Sequence, residues 1–216
     1  MGDFKSILTV GFELIIALIL FLTALYSFLH ARKGEDISAV PFGVANLALL
    51  VSQIAVIIVL SMRGNLTAVP DYLLSYYKWH QGLSWLIYSM GVFFSIYLTG
   101  RLFSIISIPA MTLAAIFIGL GFMPSIFPTF PNFDHWGWFL WVSSAVMLSA
   151  ASFMYFLFNV RRKERFRIMM SFAFFLLSIS VFCLLNSENI YLSYASNALR
   201  FIGFGIVFYE VQTNYL

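Results

Sequence analysis

The stretch YASNALRFIGFGIVFYEV, residues 194–211, decides the fold. It is almost entirely apolar or small, which is typical of a helix that crosses a bilayer, since a span needs about 20 such residues. One arginine, Arg200, lies near its middle. A charged side chain at the centre of a bilayer costs roughly 2.5–3.5 kcal/mol on insertion scales, so such residues face the interior of a helix bundle. We therefore expect Arg200 to have a partner on another helix.

The whole chain has the composition of a membrane protein. Of its 216 residues, 62% are hydrophobic and 10% are charged, whereas soluble domains have about 25% charged residues. Polar residues are too few to cover a core of this size in water. The net charge is +3, but the basic residues lie in short segments between apolar runs, which indicates membrane topology and excludes nucleic acid as a partner. The single cysteine, Cys183, excludes an intrachain disulfide.

Seven apolar runs predict seven membrane spans. The predicted fold is all-α, a polytopic bundle of seven transmembrane helices in the cell membrane, and its spans are about 8–29, 42–62, 83–100, 103–122, 136–159, 168–185 and 190–212. Basic residues set the orientation, because cytoplasmic loops are enriched in lysine and arginine. Eight lie in the first, third and fifth loops, and three lie at the N-terminus and in the even loops. This predicts an outer N-terminus and an inner C-terminus.

Polar residues within the spans predict which helices meet. One face of the last span is small and polar at helical spacing, and it contains Ser193, Ser196, Arg200, Gly203, Val207 and Glu210. Glu13 lies well inside the first span, which neighbours the last span in a closed ring. We therefore expect a Glu13–Arg200 ion pair. Asn197 lies beside it, and Asn46 and Gln53 share one face of the second span and would extend the network. Both a helix-pairing role and a ligand pocket stay open.

Two histidines lie at the outer ends of predicted spans. His80 lies at the outer entrance of the third span and His135 at that of the fifth. Two histidines at one depth on different helices are able to ligate a b-type haem, so haem b is a candidate cofactor. The alternative is that both are ordinary interfacial residues beside tryptophans. With Asp134 they are also candidate metal ligands, although a catalytic zinc site has three protein ligands at a recognisable spacing.

Chemical motifs of several membrane enzymes are missing from the sequence. It has no HExxH motif, no pair of intramembrane aspartates and no glycine-rich phosphate loop. The prediction is therefore a non-enzymatic integral membrane protein, a sensor-like or accessory subunit that acts through a membrane partner. A stripe of small residues, Ala145, Ser149 and Ser152, supports such helix contacts. The alternatives are a haem-b electron-transfer subunit of a respiratory complex, or a small-solute transporter or channel with Glu13 and Arg200 in its pathway.

The order of these features resembles the seven-helix membrane sensory module of bacterial and archaeal histidine kinases. The resemblance is carried by HARKGEDISAVPF (residues 30–42), YLTGR (97–101), the aromatic segment MPSIFPTFPNFDHWGW (123–138) and the basic segment NVRRKERFR (159–167). It covers nearly the whole chain and implies a sensory role. No kinase part follows Gln212, so the resemblance implies signalling through a separate partner protein.

Overall fold

Long α-helices make up the described part of the chain. The protein is represented by a computed structural model that describes residues 2–33, 39–65, 71–99, 133–162, 165–185 and 190–215. Within these ranges there is no strand, so the predicted all-α class is confirmed. The helices are α1 (Gly2–Arg32), α2 (Ala39–Asn65), α3 (Asp71–Thr99), α4 (Phe133–Arg162), α5 (Arg165–Leu185) and α6 (Ile190–Tyr215). The predicted span 103–122, Arg101 of the YLTGR segment and the proline-rich part of residues 123–132 lie outside the described residues.

Several helices have the length and the outer surface that a bilayer requires. Four described helices are long and apolar enough to cross a membrane, over Val10–Arg32, Ala39–Ile58, Phe139–Leu157 and Arg165–Leu184. Large apolar side chains on their outer faces are exposed, for example Leu18 at 56%, Val51 at 60% and Phe175 at 51%. Apolar surface on this scale is unfavourable in water and favourable against acyl chains. These features indicate an integral membrane protein.

The six described helices form a closed ring in chain order, in which α6 contacts α1. Near the start of both helices, Glu13 meets Arg200. Further along, the ring of Tyr26 lies 6.0 Å from the ring of Phe208. Because both contacts advance towards the C-terminal ends, α1 and α6 run parallel, and both helices begin at the same end of the bundle.

A second pair of neighbours, α3 and α4, also runs parallel. A Cβ atom on Gly82 would lie 3.3 Å from the indole ring of Trp141, and Oγ of Ser89 lies 4.0 Å from Sδ of Met147. Both contacts again advance in the same direction. The end of α3 and the start of α4 therefore lie at opposite ends of the bundle.

Serine hydroxyls join α4 to α5. Oγ of Ser149 lies 2.6 Å from Oγ of Ser178, which donates to the carbonyl oxygen of Ala145 at 2.8 Å. Ser152 and Ser171 each donate to the other's carbonyl oxygen, at 2.7 and 2.8 Å. Small residues allow this close approach of two helices in lipid. The stripe of Ala145, Ser149 and Ser152, expected to support contact with another subunit, is thus used within the chain against α5.

Aromatic side chains from opposite sides of the ring meet in its interior. Trp85 and Tyr88 of α3 lie 5.9 and 5.7 Å from Phe204 of α6, measured between ring centroids. All three are almost fully buried. Such pairs contribute about 0.5–1.5 kcal/mol beyond the burial of their area. They also place α3 beside the polar residues of α6, because Phe204 is one helical turn from Arg200.

Candidate functional site

Arg200 and Glu13 form an ion pair inside the ring of helices. Nη2 of Arg200 donates to Oε1 of Glu13 at 2.6 Å, and the two residues are only 2% and 4% exposed. Each charge neutralises the other, which offsets the cost of holding a charge away from water. The structure thus contains the ion pair expected from the sequence, and it joins α1 to α6.

Two amide side chains complete the surroundings of this ion pair. Nε2 of Gln53 donates to Oε2 of Glu13, and Nη2 of Arg200 also donates to Oδ1 of Asn197. Helical side chains incline towards the N-terminus of their helix, which directs Arg200 towards Asn197, three residues earlier. Residues from α1, α2 and α6 therefore form one buried group, which we call the charge cluster: Glu13, Gln53, Asn197 and Arg200.

Arg200 has hydrogen-bonding capacity that the charge cluster does not use. A guanidinium group has five N–H donors, and the two on Nη2 are occupied. Nε and Nη1 are buried and have no hydrogen-bond partner in the described part of the chain. An unsatisfied buried donor costs about 1–3 kcal/mol, so native proteins usually satisfy such donors with a side chain, a water molecule or a ligand. The site is therefore able to take at least one further acceptor.

Tyr88 has a buried hydroxyl group in the interior of the ring of helices. Its side chain is completely buried, and its hydroxyl has no partner among the described residues. The ring of Tyr88 contacts Phe204, which is one turn from Arg200 on α6.

The register of α2 against α3 places Tyr88 about one and a half turns from the level of Gln53. A Cβ atom on Gly91 would lie 2.9 Å from the carbonyl oxygen of Pro41 and would also meet Ala45. Tyr88 precedes Gly91 by three residues on an antiparallel neighbour, so it lies opposite position 48 of α2. That position is five residues, or about 7.5 Å, from Gln53. The side chain of Tyr88 inclines towards the start of α3, which is the side on which Gln53 lies.

Asn46 lies apart from the charge cluster, although it shares a face of α2 with Gln53. Its Nδ2 donates to the carbonyl oxygen of Phe42 in its own helix at 2.8 Å. Its Oδ1 is buried and has no partner within the described ranges. Of the five polar residues expected to line the interior, the structure brings four together and leaves Asn46 nearly two turns away.

The two candidate haem ligands lie on the parallel helices α3 and α4. His80 is partly buried. His135 is part of α4, but its side chain lies outside the described residues. Among the side chains that the structure describes, no three from His, Cys, Asp and Glu form a group that could hold a metal ion. Haem ligation by His80 and His135 stays a prediction.

Sequence reasoning missed Tyr88 as a site residue. The available signal was its spacing from Trp85 and Val92 on one helical face, but an aromatic stripe is usually part of a core. Its hydroxyl is buried and has no hydrogen-bond partner among the residues that the structure describes, which only the tertiary structure reveals. Comparison with known proteins adds no assignment, because no family model, curated protein or solved structure matches this chain.

Proposed function

We propose that the protein is a sensor-like membrane protein in which a ligand at the charge cluster changes the contact between α1 and α6. A membrane partner then responds to that change. The proposal depends on one observation, the buried side chain of Arg200 with three N–H donors left after its bonds to Glu13 and Asn197. An ion pair that only joins two helices gains nothing from unsatisfied donors, since each of them costs free energy.

The contact between α1 and α6 is suited to such a change. It is the least extensive of the six helix contacts in the ring. Apart from the ion pair, its described ring contacts are Phe12 with Phe201 at 6.3 Å and Tyr26 with Phe208. By contrast, α4 and α5 are held by four serine hydrogen bonds. A ligand that binds differently to two arrangements of α1 and α6 would shift the population between them.

The proposal includes seven crossings of the cell membrane, with the N-terminus outside and the C-terminus inside. The two parallel pairs of helices support it. Successive crossings alternate in direction, so a first helix α1 and a last helix α6 that run parallel require an odd number of crossings. The apolar run 103–122 is long enough for a further crossing between α3 and α4. Epitope tags at the two termini test this in intact cells. We expect only the N-terminal tag to be accessible to protease, and accessibility of both tags or of neither would contradict the topology.

Photo-crosslinking in native membranes tests the partner. A benzophenone amino acid is placed at Ile202, which is 48% exposed on α6 and follows Phe201, whose ring contacts Phe12 of α1. The same probe at the exposed Phe175 of α5 is the control position. We expect a protein adduct at Ile202 whose yield changes in Glu13→Gln, because the variant disturbs the α1–α6 contact. The sensor role would be contradicted by the absence of an adduct, or by an adduct that Glu13→Gln leaves unchanged.

The transport alternative has less support, because Trp85, Tyr88 and Phe204 fill the interior beside the charge cluster. An open pore needs a polar, hydrated pathway at this level. Flux of small solutes into liposomes that contain the purified protein tests this alternative directly. A flux that is abolished in Arg200→Gln would favour a transporter over a sensor.

The haem alternative is tested by the absorption spectrum of the purified protein. A Soret band that disappears in His80→Ala would establish haem ligation by α3. A colourless protein from cells supplied with haem would exclude the electron-transfer role.

A further inference from the structure

The outer faces of α1 and α5 show the same pattern. Exposed large side chains recur three or four residues apart, which places them on one face of each helix. The apolar part of this face consists of Leu18, Phe21, Leu25 and Leu29 on α1, and of Ile168, Phe172 and Phe175 on α5. The next position of the same face is an exposed arginine, which is Arg32 on α1 and Arg165 on α5. Each face is therefore an apolar stripe that ends in a cation.

The helix directions place these two arginines at the same end of the bundle. α1 and α6 run parallel. Ser196 of α6 donates to the carbonyl oxygen of Ser180 on α5, whereas a Cβ atom on Gly203 would meet Leu177, so α5 runs antiparallel to α6. The end of α1 and the start of α5 therefore lie at one end of the bundle, which we call the basic end.

The two ends of the bundle differ in charge. Because α4 is antiparallel to α5 and also ends at the basic end, the described ranges place six basic residues there: Arg32, Lys33, Arg161, Arg162, Arg165 and Arg167. The acidic residue at this end of the same ranges is the buried Glu210. At the opposite end, the described ranges balance three basic residues with three acidic ones: Lys5, Arg63 and Lys78 with Asp3, Asp71 and Asp134. An anion is therefore attracted to the basic end.

The dimensions of the stripe on α5 fit one leaflet of a bilayer. Arg165 and Phe175 are ten positions apart, which is about 15 Å along a helix. This is half of the roughly 30 Å thickness of the hydrocarbon core. An acyl chain is therefore able to lie along the stripe while the headgroup of the same molecule meets Arg165. An acidic protein partner would contact the arginine, but it would not need an apolar stripe that continues to the middle of the bilayer.

We propose that the basic end binds anionic phospholipids, with the headgroup phosphate at Arg165 or Arg32 and an acyl chain on the apolar stripe of the same helix. The guanidinium group fits a phosphate, because it donates two parallel N–H bonds to the phosphate oxygens. A headgroup with a net negative charge binds more tightly than a zwitterionic one, because each basic residue nearby adds to the attraction. This binding depends neither on the charge cluster nor on the proposed sensor role.

Native mass spectrometry of the full chain in detergent measures the preference for lipid charge. The probes are phosphatidylglycerol, which is anionic, and phosphatidylcholine, which is zwitterionic, with identical acyl chains. We expect phosphatidylglycerol to bind at least about fivefold more tightly, the effect of one basic residue near an anionic lipid surface. Glycerol 3-phosphate has the anionic group but no acyl chain, and it should not bind at the same concentration.

Matched variants assign the preference to the named residues. Arg165→Gln and Arg32→Gln should each lower it, and the double variant should reduce it by about fivefold. Arg165→Lys keeps the charge and should keep most of the preference. Lys78→Gln, at the opposite end of the bundle, is the control and should bind as the unaltered protein does. Circular dichroism checks folding, and if the double variant does not fold, the comparison of Arg165→Gln with Arg165→Lys still decides the matter.

Three results would overturn the inference. Equal binding of the two phospholipids would leave the basic end as a surface for an acidic protein. Binding of glycerol 3-phosphate as tight as that of phosphatidylglycerol would indicate an anion site without a lipid. The same preference in Arg165→Gln and Lys78→Gln would show that the arginine is not involved. The crosslinking experiment at Ile202 uses no lipid probe, so failure of the lipid site and failure of the sensor role are distinguishable.

Discussion

Removing the charge of Glu13 is the most direct test of the interior described above. Glu13→Gln keeps the shape of the side chain, but it leaves Arg200 as a buried charge without a counterion. Loss of one partner from a buried ion pair costs about 3–5 kcal/mol in soluble proteins. An arginine at the centre of a bilayer costs roughly 2.5–3.5 kcal/mol on insertion scales. The two estimates overlap, so we expect Glu13→Gln to lower the free energy of unfolding by about 3 kcal/mol.

The double variant shows how much of this loss comes from the pair itself. Arg200→Gln leaves the carboxylate of Glu13 unpaired, and we expect a similar loss of about 3 kcal/mol. The double variant has two neutral amides and no buried charge, so it should lose clearly less than the sum of about 6 kcal/mol. The difference is the coupling energy between the two residues. We expect a value of about 2–3 kcal/mol, because the bonds to Gln53 and Asn197 are disturbed in every variant.

The assay is reversible unfolding of the purified protein in mixed micelles with increasing SDS, followed by circular dichroism. Ser144→Ala is a suitable control, because the hydroxyl of Ser144 is uncharged and donates to the carbonyl oxygen of Leu140 in the same helix. Strict additivity, with a coupling energy below about 0.5 kcal/mol, would refute the reasoning. It would mean that Glu13 and Arg200 do not stabilise each other in the folded protein.

Three further predictions concern packing and hydrogen bonding, and all are measured with the same unfolding assay. Gly91→Ala should destabilise by about 1–3 kcal/mol, because its Cβ would lie 2.9 Å from the carbonyl oxygen of Pro41. A Cβ atom on Gly205 would meet nothing within 4 Å, so Gly205→Ala should be neutral or stabilise by up to about 1 kcal/mol. Equal effects of Gly91→Ala and Gly205→Ala would contradict the α2–α3 register. Ser178→Ala removes two hydrogen bonds between α5 and α4 and should cost about 1 kcal/mol, and an unchanged stability would argue against that contact. Gln53→Leu leaves one oxygen of Glu13 without its donor and should cost about 1.5–3 kcal/mol, whereas a stabilising effect would show that the bond is not needed.

Helix boundaries show one limit of the sequence. The apolar run predicted a span beginning at about residue 83, but α3 begins at Asp71. A bilayer core is about 30 Å thick, whereas a helix of 29 residues is about 43 Å long. Hydropathy reports where lipid begins, and the backbone hydrogen bonds of a helix continue beyond that point. The sequence therefore does not predict where the helices end.

The sequence by itself indicated that this protein lies in a lipid bilayer and is helical. It also predicted that Arg200 pairs with Glu13. Hydrophobicity and helical periodicity are local properties, and charges within apolar runs are so few that the choice of partners is small. The tertiary structure decided that Gln53 joins the ion pair while Asn46 does not, and that serines of α4 face α5. It also decided that the hydroxyl of Tyr88 is buried with no partner in the described part of the chain. These depend on the register between helices. Packing of the whole bundle sets that register, including a contact between residues 187 positions apart.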